Sequence, residues 1–244
     1  MTGNSKLENR RPGTRPLWRR ALSSPWAHLV AAILVVALVQ ALFVKVYQVP
    51  SGSMQPTLEP GDRVLVNKLA YLGDEPEHGD VIVFDRPESW GPSNERPWWR
   101  TMIGWFGDVV GFGPNNHNAL TKRVIGTPGD AVACCDAEGR LTVNGEPIEE
   151  PYIFNDLLFE SGELDCSTDP VAARCFREIV LSGDEYLVMG DHRSNSADSV
   201  MGCRGAAAAD GCARIVTADD IVGEVFLVFW PLNGWGRTLS IDLS

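Results

Sequence analysis

Histidine is scarce in this chain: four in 244 residues, at His28, His78, His117 and His192. No His-rich cluster and no Cys-x-x-Cys pair occurs, so the sequence offers no zinc site, and neither a metal nor a cofactor is expected. No internal repeat is visible. Basic residues are few after position 44. Residues 1 to 44 hold six basic residues against one acidic, a net +5, whereas the remainder holds 15 against 31, a net −16. An acidic body lacks the surface that replaces counterions on nucleic acid, so no nucleic-acid partner is expected. Glycine and proline are plentiful after residue 50, which disfavours long helices there.

One long apolar run is present, and no second comparable one. Trp26 to Val44 reads WAHLVAAILVVALVQALFV, 19 residues without a formal charge. At 1.5 Å per residue it reaches about 28 Å, close to the hydrocarbon thickness. A cleavable secretory signal would have a shorter apolar core and a small-x-small site after it. Here the run ends ALFVKVYQV, with no small pair in place. The expectation is a single-pass anchor over 26–44 in the cell membrane, contacting the lipid bilayer. Residues 1–25 form a disordered basic tail in the cytoplasm, and 45–244 lie outside.

Six cysteines suit that side of a membrane. Cys166 and Cys175 have the same spacing as Cys203 and Cys212, and each pair could close a short disulfide loop. Cys134 and Cys135 lie in an apparent strand, where neighbours point to opposite faces, so they are not expected to pair with each other.

The body reads as mainly β. DRVLVNKLAY, DVIVFDR, ALTKRVIG, DAVACC, LTVNG, EYLVMGD and IVGEVFLVFW are short β-branched runs, punctuated by Gly-Asp and Pro-Gly-Asp turns. LTVNGEPI predicts a hairpin turning at Asn144-Gly145. Residues 88–118 differ, with four of the eight tryptophans, Trp90, Trp98, Trp99 and Trp105. This insertion is either a satellite of the core or a rest on the lipid interface.

A nucleophilic serine needs a base, usually histidine. His192, in VMGDHRSNSADS, could form a triad with Asp191 or Asp198, though a solvated loop histidine explains it as well. Lysine is the other candidate. An ordinary lysine is neutral only about once in 2,500 at pH 7, and burial in an apolar site raises that fraction. Lys122 in ALTKRVIGTPGD alternates onto one strand face with Leu120 and Val124, while Thr121, Arg123 and Ile125 take the other. Lysines in such strands also commonly just reach solvent.

Three motifs combine. VPSGSMQPTLEPGD follows the apolar run, TKRVIGTPGD comes roughly 70 residues on, and GDHRSNSADS lies near the end. In this order they resemble the type I signal peptidases, the bacterial membrane-bound Ser–Lys proteases. The resemblance covers the anchor and most of 45–235. It implies an extracytoplasmic antiparallel β-sheet domain of that type, cleaving signal peptides from exported pre-proteins after small residues at positions −3 and −1. It implies Ser53 as nucleophile, Lys122 as general base, and Ser51 in the oxyanion hole beside the Ser53 N–H. Ser196 would orient the Lys122 amine, supported by Asp198; a plain polar turn serves equally for those two. Gly52 would let Ser51 and Ser53 address one oxyanion.

Matching positions for the substrate pockets are Met54, Leu58 and Leu120 for the first, and Tyr47, Val49, Val64 and Thr121 for the third. Each could equally be ordinary strand core. The substrate would lie extended along 45–50 and 119–122, held by backbone hydrogen bonds, and the export machinery is a further candidate partner. The chain departs from the pattern at Val200, where many members have an arginine that pairs with the Asp198 position. Residues 201–213, with Cys203 and Cys212, look like a local insertion. The alternatives are a non-catalytic anchored scaffold and a self-cleaving Ser–Lys regulator, the latter usually soluble and DNA-binding.

Overall fold

A computed structural model of the chain describes residues 24–91, 119–205, 211–235 and 239–241. The chain divides into two compact units, Met1–Val39 and Gln40–Ser244. One helix, α1, runs Pro25–Leu42 without a charged residue in its first or last turn. Its apolar side chains stand exposed on every face, among them Leu29, Val30, Ile33, Leu34, Val35 and Val36. No helix among the described residues is long and apolar enough to cross a membrane. A span over 26–44 is therefore not shown: the run divides into α1 and, from Val44, a strand. The alternation of Val44, Val46 and Gln48 against Lys45 and Tyr47 lets this end of the run pair as an edge strand.

Among the described residues the larger unit holds eleven strands. They are β1 (Val44–Gln48), β2 (Arg63–Asn67), β3 (Val81–Asp85), β4 (Ala119–Gly126), β5 (Ala131–Cys134), β6 (Leu141–Val143), β7 (Glu146–Pro147), β8 (Phe176–Val180), β9 (Glu185–Met189), β10 (Val216–Thr217) and β11 (Ile221–Trp230). A seven-stranded sheet has the order β1-β2-β11-β3-β4-β9-β10, and a four-stranded sheet the order β7-β6-β5-β8. The described pairings between strands are all antiparallel.

Period-two alternation explains the cores. In β3, Val81 and Val83 join a cluster with Val64, Val66, Met54 and Leu58. Ile82 and Phe84 point the other way and pack with Val124, Tyr186 and Val188. A third cluster fills the smaller sheet with Val132, Leu141, Phe176 and Leu187. The hairpin between β6 and β7 turns at Asn144 and Gly145 as its sequence predicts, both at positive φ, the pair a tight two-residue turn requires. Asn144 also accepts from the Ala131 N–H through Oδ1.

Of the tryptophan-rich insertion only its first residues fall within the described region. Trp90 is buried edge-on to Phe84 at 5.2 Å and donates Nε1–H to the Ile215 carbonyl, so this one serves the core. Trp98, Trp99 and Trp105 lie outside the described residues. Cys166 with Cys175 and Cys203 with Cys212 form bridges with Cα atoms 5.5 and 5.1 Å apart. Cys134 and Cys135 are also bridged to each other, contrary to the expectation from alternation. β5 ends at Cys134, so the alternating geometry that would separate the two side chains stops before Cys135.

Candidate active site

Ser53 sits in a single 3-10 turn, Gly52–Met54, entered from Ser51 in extended conformation. Backbone bonds fasten the turn on both sides. The Val49 N–H donates to the Asp62 carbonyl, Gly61 to Val49, and Leu58 to Met54. Met54 and Leu58 anchor the turn in the core from below.

Strand β4 brings the second group. Beyond Thr121 both of its faces are buried, which removes Lys122 from water. Ile82 is its partner across β3, and Leu120 and Val124 join the cluster of Ile82, the apolar face expected from alternation. Lys122 is 4% exposed, and its Nζ donates to Ser53 Oγ at 2.6 Å. Burial pushes the amine down from its ordinary value of 10.5 to about 8, against the opposing pull of the Asp198 and Asp191 carboxylates. Ser51 Oγ lies 3.4 Å from Ser53 Oγ.

The loop after β9 closes the site. The His192 N–H donates to the Ser53 carbonyl at 3.1 Å. A Cβ at Gly190 would overlap both Ser196 Oγ and the Ser53 carbonyl oxygen, so only glycine lets these two segments approach. Ser196 lines the cavity over Ser53 and Lys122, yet its Oγ is buried without a hydrogen-bond partner. The bond to the Lys122 amine that the resemblance implies is not made here. Asp198 is fully buried and paired with Arg204, whose Nη2 lies 3.0 Å from Oδ2. The pairing that Val200 cannot supply thus comes from four residues further on, out of a loop whose sequence gave no signal.

Two more residues that support the candidate site were not singled out by sequence. Arg123 points away from Lys122 and grips Asp191 through Nε and Nη2 at 2.9 and 2.7 Å, both side chains fully buried. Its Nη1 donates to the Gly79 and Leu239 carbonyls, and its guanidinium lies over the Tyr152 ring. Thr57 donates its hydroxyl to the same carboxylate. Two consecutive cations in one strand were the available signal, since alternation sends them to opposite faces and both faces are buried there.

The histidine triad is not formed. Asp191 belongs to Arg123 and Asp198 to Arg204, while the His192 ring lies edge-on to Phe154 and 3.4 Å from Ser194 Oγ. His78 binds Asp130 elsewhere.

A cavity of about 410 Å³ opens over Ser53 and Lys122, lined by Val49, Met54, Leu120 and Thr121 among others. Those four pocket candidates meet there. Tyr47, Leu58 and Val64 do not; they are buried in the cluster behind Met54. The three cysteines whose sulfurs gather elsewhere, Cys135, Cys166 and Cys175, are all in bridges.

The model of the family described as signal peptidase, peptidase S26, matches residues 23–230. The chain belongs to this family. Signal peptidase I of Mycobacterium tuberculosis is 34% identical over 249 residues, covering 98% of this chain and 81% of the relative. Signal peptidase IB of Staphylococcus aureus is 30% identical, covering 84% and 87%. A crystal structure of a signal peptidase I from Enterococcus faecalis aligns with TM-score 0.36 and 20% identity, over 63% of this chain and 98% of that one. The chain is therefore a serine endopeptidase of the signal peptidase type. The matches favour neither the scaffold nor the self-cleaving regulator.

Proposed function

We propose that this peptidase cleaves signal peptides with Ser53 as nucleophile and Lys122 as general base. The observation that carries this is the 2.6 Å contact from Lys122 Nζ to Ser53 Oγ in a site that depresses the amine to about 8. Lowering a lysine from 10.5 to that value raises its neutral fraction at pH 7 by roughly 300-fold.

The neutral amine takes the Ser53 proton as Oγ attacks the scissile carbonyl. The resulting ammonium returns that proton to the leaving amine, and a water activated by the same amine then hydrolyses the acyl-enzyme. The oxyanion would be held by the Ser53 N–H and the Ser51 hydroxyl. The Ser196 hydroxyl, buried and unpartnered, remains available to orient the amine once the Ser53 proton has moved, and Asp198 supports that side of the site.

The substrate would bind as an added strand. β1 pairs only with β2, and β9 meets β4 from Arg123 onward, so residues 119–122 keep an edge towards the cavity among the described strands. An extended signal peptide fits between that edge and 45–50. Val49, Met54, Leu120 and Thr121 would leave room for small side chains at −1 and −3.

The wider setting is part of the same reading. The uncharged apolar run 26–44, most of it in α1, suits lipid, and this run would anchor the chain as a single pass, with the +5 tail in the cytoplasm and the peptidase outside. There the Cys166–Cys175 and Cys203–Cys212 bridges would persist, and the export machinery would deliver substrate.

The test is cleavage of a secretory precursor by the purified full-length protein. Ser53→Ala and Lys122→Ala should each abolish cleavage with folding intact, and His192→Ala should retain most activity. An active Lys122→Ala beside a dead His192→Ala would overturn the dyad.

A further inference from the structure

Asp198 presents a problem that the dyad alone does not solve. It is a fully buried carboxylate whose charge acts on Lys122 in the wrong direction for a base, holding the amine protonated. A second carboxylate, Asp191, acts the same way. Each therefore needs its own cation. Asp191 has Arg123, from β4 itself. Asp198 has Arg204, from an irregular segment beyond a single 3-10 turn, Met201–Cys203.

We propose that Arg204, clamped by the Cys203–Cys212 bridge, is the positioning residue that holds and neutralises Asp198 so that Lys122 can act as a base. This rests on the Ser53–Lys122 reading above.

The geometry is specific. Arg204 Nη2 reaches both oxygens of Asp198, at 3.0 and 3.3 Å, and Nη1 donates to the Arg193 carbonyl at 3.3 Å. Among the described residues no other side chain hydrogen-bonds the Asp198 carboxylate. The backbone on each side of Arg204 is fixed. Cys203 is buried, bridged to Cys212, and donates its N–H to the Val200 carbonyl. Gly205 donates its N–H to the carbonyl of Cys175, itself bridged to Cys166. Position 200 cannot take over, because Val200 is fully buried in the apolar cluster of the smaller sheet.

The other charges nearby are already engaged. Arg193, which also faces Asp198, is held by Glu150. Arg174, which faces Arg193 and Arg204, is paired with Asp156 and Glu150. Neither is free to replace Arg204. Without it, Asp198 would stand as an unpaired buried carboxylate beside the amine, and would pair with the Lys122 ammonium instead. An opposite charge so placed favours the protonated base.

The test is the pH dependence of precursor cleavage by full-length enzyme, with thermal melts alongside. Arg204→Met should move the acidic limb of kcat/KM upward by roughly one pH unit, so that activity at pH 7 falls about tenfold while the alkaline plateau stays within a few-fold of wild type. Arg204→Lys should return most of that shift. Cys203→Ser with Cys212→Ser should move the limb in the same direction by a smaller amount. An unmoved limb in Arg204→Met, whatever its melting temperature, overturns the proposal and leaves Arg204 a structural cation. Should Arg204→Met fail to fold, Arg204→Gln decides on the same criterion. An unmoved limb in the double serine variant removes the clamp from the account. Lys122→Ala separates the two readings: if it is active, the base assignment has failed; if it is dead and the Arg204→Met limb is unmoved, only this inference has.

Discussion

Lys122 Nζ donates to Ser53 Oγ across 2.6 Å while its side chain is almost completely enclosed. A protonated amine in that position is disfavoured by its surroundings, and the cost falls on the stability of the fold.

The sign follows from the two protonation equilibria. The unfolded chain binds the Lys122 proton with its ordinary pKa near 10.5, the native site with one of about 8. The group therefore opposes folding, fully below pH 8 and not at all above pH 10.5, at a cost of about 3 kcal/mol. Lys122→Met removes the amine and keeps much of the volume. Asp191 and Asp198 keep their arginine partners. The mutant should be inactive yet at least as stable as wild type at pH 7, with the difference narrowing as pH rises from 8 towards 10. Thermal melts from pH 6 to 10 check this; a mutant melting well below wild type throughout would make Lys122 a paired structural cation.

Arg123 and Asp191 form a buried pair that supports the loop closing over Ser53. Removing one partner strands the other charge, so Arg123→Met should cost roughly 3–5 kcal/mol. Denaturant unfolding measures it, and a loss under 1 kcal/mol would show that the site tolerates an unpaired Asp191.

Gly190→Ala places a methyl group where the Ser53 carbonyl oxygen and Ser196 Oγ lie. One of these is backbone and cannot rotate away. Precursor cleavage should fall at least a hundredfold by displacement of the Ser53 turn (on the order of the loss expected from a misplacement near 1 Å). Activity near wild type would mean the two segments separate without consequence.

Topology is tested by protease added outside spheroplasts. It should digest the part after residue 45 and spare the first 25 residues. Protection of the C-terminal part would contradict the anchored, outward-facing arrangement.

Much of this was legible from residues alone, and the exceptions have physical causes. Strands β4 and β11 coincide with the β-branched runs ALTKRVIG and IVGEVFLVFW, because both are long and bounded by turn residues. β1 starts at the last residue of the apolar run, Val44, and mixes Lys45 and Gln48 with apolar residues, and β8, FREIV, mixes charge with apolar residues on one short edge. Ser53 and Lys122 could be named as candidates only through the family resemblance that the motif order carries. Tyr47, Leu58 and Val64 share the apolar character of pocket residues, and only packing shows them to be core. Arg204 could not be foreseen, since an ion pair reached through an irregular bridged loop leaves no periodic trace.

The most direct measurement is the pH profile of kcat/KM for precursor cleavage by the wild-type enzyme and by His192→Ala. The account predicts an acidic limb near pH 8, where the Lys122 amine loses its proton, unchanged by His192→Ala. A limb near 6.5, the ordinary value for histidine, that disappears in His192→Ala would contradict it.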